Sequence, residues 1–312
     1  MKLKMIHRDL IRIFLLALIT VSWVSCKSGA KKEEATENVL EEVDVSQLNE
    51  EMFKDINEAK QIFYSLPSPL ETAMLIKSSG AEYNEDLLNS VDNVTKYSTS
   101  KSMALNLGIY TCDLSFASLY DQTQASIDYM NAAKKMADGL GILDAISQES
   151  IDRLEENINN RDVIMDIISE TFMNSSSYLE ENDRAAVAAI VLVGGWMEGL
   201  YLATQLVPDT ANLETNKLIH RIVDQKLSIG IIERLLDDNK DNADIQEIMK
   251  DINELKAIYD KIPMTASSSA ETSTNEQTHV TTIKSESTYK ITRDIFNELK
   301  EKVKVIRSNY IS

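Results

Sequence analysis

Apolar residues recur at three- and four-residue steps along most of this chain, the pattern of a helical face turned toward a core. Leu48, Met52, Phe53, Ile56, Ala59 and Phe63 make the first such stripe. Pro67-Ser68-Pro69-Leu70-Glu71 then interrupts it. Ser68 as N-cap, Pro69 at the first helical position and Glu71 closing a capping box predict a helix that ends near Gly80. The same reading predicts helices over 84–97, 100–121, 123–139, 148–159, 161–181, 184–206, 211–239 and 243–262. Gly139 and Gly141 suit a helix end, Asn160 suits an N-cap, and Pro208-Asp209-Thr210 breaks the chain before the next start. Short connections make sequence neighbours antiparallel. The expectation is an all-α, antiparallel bundle of about ten helices.

After residue 264 the pattern changes. Residues 265–291 form a Ser/Thr-rich stretch expected to be a mobile loop, with one short extended segment within Val280 to Ile291, where apolar and polar residues alternate loosely. Thr292 can cap a last helix over 292–312, whose stripe Ile295, Phe296, Leu299, Val303 and Ile306 should dock on the bundle of residues 45–264.

Two helices depart from amphipathic patterning. Ala185 to Val207 carries Glu198 as its only charge and is long enough to span a membrane. A carboxylate near mid-helix costs about 2.5–3.5 kcal/mol on insertion scales, and Gly194, Gly195 and Gly199 weaken an isolated helix, so the centre of a large bundle is the expected place. Residues 100–121 carry a matching small-residue stripe, Ala104, Gly108 and Cys112, which makes the two helices candidate partners. At a constant offset, Gly108-Ile109-Tyr110 and Leu114-Ser115-Phe116-Ala117 match Gly194-Gly195-Trp196 and Leu200-Tyr201-Leu202-Ala203. A duplicated helical hairpin and coincidence explain this equally well.

The N-terminus carries the most specific signal. Lys2, Lys4, Arg8 and Arg12 precede an apolar run from Ile13 that is short for a membrane span, and small Ser25 stands before Cys26. This resembles the signal peptide of a bacterial lipoprotein of the Bacteroidota type, with Trp23 where Leu is usual. The resemblance implies that residues 1–25 are removed and that Cys26 is acylated, carrying palmitate-like chains into a membrane. Residues 26–44, with Lys31-Lys32-Glu33-Glu34, read as a tether reaching about 25 Å, at about 5 to 6 Å times the square root of its length. The address implied is the cell envelope, anchored by lipid, in the outer membrane with either leaflet open. The patterns Gly-Ile-Tyr-x-x-Asp-Leu (108–114) and Gly-Gly-Trp-Met-Glu-Gly-Leu-Tyr (194–201) look like those of a Bacteroidota lipoprotein family, and that likeness implies no activity.

Charge narrows the partners. The chain carries -18, and loss of Lys2, Lys4, Arg8, Arg12 and Asp9 with the signal peptide takes this to -21. Such a chain repels phosphate backbones and anionic headgroups, which excludes nucleic-acid binding through a basic patch. Cys26 and Cys112 are its two cysteines, so an acylated Cys26 leaves Cys112 without an intramolecular partner. Cys112 has no His or basic residue beside it and reads as an inert buried thiol.

Candidate chemistry centres on Asp113 and Glu198, carboxylates in apolar helices flanked by Tyr110, Tyr120, Trp196 and Tyr201. One reading is a cleft in which Tyr110, Asp113, Trp196, Glu198 and Tyr201 bind a small polar ligand or support a hydrolase, including a two-carboxylate glycosidase. The other, weighted more heavily, is a set of internal hydrogen bonds with Arg161, Arg184 or Arg221 as partner. The run Asp237 to Asp244 fails as a calcium loop, since Asn242 stands where Gly is needed and Ile248 where Glu is needed. No catalytic, cofactor or metal motif is present, so the reading is a non-catalytic binding or assembly module without cofactor or metal, engaging the membrane through its acyl chains and an envelope protein or small ligand.

Overall fold

Two helices have no polar face, and the rest of the body covers them. The computed structural model describes residues 69–143, 148–157, 160–265, 270–275, 280–285 and 288–312. The expected signal segment with Cys26, the expected tether, the stripe from Leu48 to Phe63 and the expected Ser68 cap lie outside the described residues.

The described helices are α1 (Pro69–Ser78), α2 (Ser100–Leu119), α3 (Thr123–Gly139), α4 (Gln148–Glu156), α5 (Arg161–Glu181), α6 (Ala185–Leu206), α7 (Lys217–Asp237), α8 (Ala243–Tyr259) and α9 (Arg293–Tyr310). The body is an all-α, multi-helix fold. Local chemistry sets the boundaries. Thr99 and Ser102 close a capping box at the start of α2. Asn216 and Asn242 cap α7 and α8, and Thr292 accepts from the Ile295 N–H at the start of α9. The helix expected over 211–239 therefore begins at Lys217, where the Asn216 side chain takes up the free N–H groups of Leu218 and Ile219. The run from Asp237 holds a turn and the Asn242 cap, and no metal-ligand cluster occurs among the described residues.

Residues 84–97 are a correction. A helix was expected there, and the chain forms two 3₁₀ turns, Glu85–Leu87 and Val91–Lys96. Asn84 and Ser90 turn their side chains onto the N–H groups of Asp86 and Asp92, a local alternative to helical bonding that short polar side chains favour. The expected loop over 265–291 also differs. Its backbone forms antiparallel ladders, β2 (Ala270–Asn275) on β3 (Val280–Ser285) and β1 (Met264–Thr265) on β4 (Thr288–Tyr289), consistent with its content of Thr, Val and Ile.

At the centre α2 packs on α6, with α3 along α2 and α9 against α6. A methyl group on Gly108 would strike the carbonyl of Val191 and the amide of Gly195, and one on Gly194 would strike the carbonyl of Leu105. These contacts bring the backbones of α2 and α6 together at close range. Each helix presents a glycine where the backbones meet. Gly199 faces elsewhere, against Thr72 of α1. Although α6 is long and apolar enough to cross a membrane, 78% of its most apolar stretch is buried inside the protein. Fully burying each Ile or Phe, such as Ile109 and Phe116, contributes roughly 1.5–3 kcal/mol.

Candidate functional site

Asp113 and Glu198 meet. Each is wholly buried, one carried by α2 and the other by α6, because the Gly108 crossing draws the two backbones together. The partner that α9 brings is Arg307, whose Nε and Nη2 donate to Glu198 Oε2 and Oε1 at 2.8 and 2.9 Å. This is a bidentate, charge-assisted pair. Nη2 of Arg307 also donates to the Leu87 carbonyl at 3.2 Å, and the guanidinium carbon lies 4.6 Å from the centre of the Tyr201 ring.

Asp113 Oδ2 accepts from the Asn89 N–H at 3.1 Å, whereas its buried Oδ1 has no donor partner. Burial pushes the Asp113 carboxyl well above the usual carboxylate range, and the Glu198 charge pushes it further, against the opposing pull of Arg307. Burial of the carboxyl beside Glu198 favours the neutral form of Asp113. Arg307 then neutralises the single remaining charge.

A polar network extends from this trio. Asn89 Nδ2 donates to Tyr97 Oη and to Asn106 Oδ1, each at 3.0 Å. Asn106 Nδ2 donates to the carbonyls of Ser102 and Tyr310, and Tyr97 Oη donates to the Ile311 carbonyl at 3.2 Å. The 3₁₀ segment, α2, α6 and the end of α9 are thus tied at one buried point.

The five aromatic and acidic residues singled out in the sequence divide. Asp113, Glu198 and Tyr201 gather around Arg307. Tyr110 donates to the Ser90 carbonyl at 3.0 Å, its ring 6.2 Å from that of Tyr97. Trp196 turns away and donates to Gln225 Oε1 of α7 at 3.0 Å. Asp113, Glu198, Tyr110 and Tyr201 line neither of two described cavities, whereas Trp196 lines the smaller one. The expected arginines serve elsewhere: Arg184 donates to the Leu140 carbonyl, and exposed Arg221 pairs with Asp224. The side chain of Arg161 lies outside the description. Sequence reasoning missed Arg307, Asn89, Asn106 and Tyr97. A signal for Arg307 existed, since it stands four residues after Val303, on the buried stripe of α9.

Cys112 is completely buried, and burial drives its thiol well above the ordinary range. That is the opposite of an activated nucleophile. Compared with known protein families, curated proteins and solved structures, the chain matches none.

Proposed function

We propose that this chain is a lipid-anchored, non-catalytic binding or assembly module of the cell envelope, held in the outer membrane through Cys26 and displaying its helical body on the tether of residues 26–44. The observation that carries the non-catalytic part is the use of Glu198. Its two oxygens accept from Arg307, and the trio is sealed from solvent. A hydrolase needs one carboxyl free to donate a proton and another free to attack or activate water. A bidentate guanidinium on one and burial of both favour a role in fixing α9 to the core.

Display follows from physics. Acyl chains contribute about 0.8 kcal/mol per buried methylene, while a chain of net charge -21, after loss of the charges on residues 1–25, is repelled by anionic headgroups. The lipid supplies the attachment and the charge keeps the helices clear of the surface, where an envelope partner can reach them.

Metabolic labelling with a fatty-acid analogue tests the anchor. Wild type should take up label and Cys26→Ala should not. Equal labelling of both would overturn the anchored reading. Protease access on intact cells then assigns the leaflet.

A further inference from the structure

The largest described cavity lies away from the buried trio. It is lined by α2, α3, α5 and α6 together with α4, and its walls are Leu107, Leu114, Met130, Ile151, Ile168 and their apolar neighbours. Two observations distinguish it from a packing defect. Thr171 of α5 lines it with an Oγ1 that is buried and meets no hydrogen-bond partner. Such a hydroxyl is costly unless something supplies a partner. Ser175, one turn along α5, lines the same wall. Lys134 of α3 also contributes to the lining, half-buried, and makes no ion pair among the described residues.

We propose that this cavity binds a medium-chain aliphatic carboxylate, with its chain between α2 and α5, its carboxylate toward Lys134 and a hydrogen bond from Thr171. The volume fixes the size. About 80 Å³ is open to the centres of water-sized groups. At roughly 10–15 Å³ for each such centre, it seats on the order of six methylenes. A two-chain phospholipid does not fit. The lining fixes the rest: apolar walls take the chain, and a cation and an unpartnered hydroxyl on the same lining select an anionic head in a protein that otherwise repels anions. Half-buried Ala133, Lys134 and Leu143 mark the way in. This site is independent of the acyl anchor, since it takes a free ligand within the body.

The test uses the full chain and an octanoate analogue bearing a diazirine near its chain end, photolysed and mapped by mass spectrometry. Label should fall on the lining segments of α2 and α5. Excess octanoate should reduce it at least tenfold, and octylammonium should not. Ala133→Phe, which fills the mouth, should abolish labelling. Thr171→Val, which keeps the shape and removes the unpartnered hydroxyl, should weaken competition by octanoate by about tenfold, the size of one hydrogen bond. Lys134→Gln should weaken it as well. The Val and Gln variants decide the matter if Ala133→Phe does not fold. Label scattered over the surface, competition by dioctanoylphosphatidylcholine but not octanoate, or competition unchanged in both Thr171→Val and Lys134→Gln would overturn the site.

Discussion

Arg307 grips Glu198 through two parallel hydrogen bonds of 2.8 and 2.9 Å, joining residues 109 positions apart in a place that water does not reach. Removing one partner strands the other. Glu198→Gln should destabilise the fold by about 3–5 kcal/mol, because a guanidinium stays buried without its counter-charge. The double variant Glu198→Met/Arg307→Met should be more stable than Glu198→Gln alone, since no unpaired charge remains. Urea unfolding followed by circular dichroism checks both. A double variant that loses the full sum of the two single losses would contradict this account of the pair.

Asp113 makes stability depend on pH. Between the ordinary carboxyl value of 3.8 and its raised value in the fold, the folded chain holds a proton that the unfolded chain has released. Stability from this group is therefore greatest in acid and declines as pH rises through that window. Asp113→Asn keeps an oxygen for the Asn89 N–H and offers Glu198 a donor that never titrates. It should raise stability by about 1–2 kcal/mol at pH 8 and flatten the pH slope. Thermal melts from pH 5 to 9 measure this. Equal slopes in the two proteins would place the proton elsewhere.

Two glycine substitutions separate contact from propensity. Gly108→Ala forces a methyl into the backbone of α6 and should cost about 3 kcal/mol or more, beyond ordinary overpacking. Gly230→Ala, inside α7 with nothing within 4 Å of the new carbon, should stabilise by about 0.5–1 kcal/mol through helix propensity. Midpoints in urea give both values.

Cys112 should resist alkylation by iodoacetamide at pH 8 in the folded protein and react once urea unfolds it, because its thiol is buried and its ionisation suppressed. Mass of the peptide containing Cys112 reports the difference. Rapid modification of the native protein would reveal an opening that this packing does not allow.

Legibility followed the range of each interaction. Thr292 and the apolar stripe from Ile295 to Ile306 marked α9 because caps and periodicity act within a few residues. Asp113 and Glu198 were visible as charges in apolar runs. Their partner was not, since Arg307 is one of several cations on a charged helix and only docking distinguishes it. Asn84 and Ser90 turned an expected helix into 3₁₀ turns, and the backbone of Asn89, freed from helical bonding, reaches Asp113.

By itself, the sequence determined an all-α body, two helices bound for the core and two buried acids in need of partners, because apolar spacing and the cost of an isolated charge are local facts. Tertiary structure alone decided that α2 and α6 cross at Gly108 and Gly194, that α9 supplies the guanidinium, and that the cavity beside Thr171 lies on another side of α2. These depend on which surfaces meet, and the free energy of a buried contact exists only once both surfaces are in place.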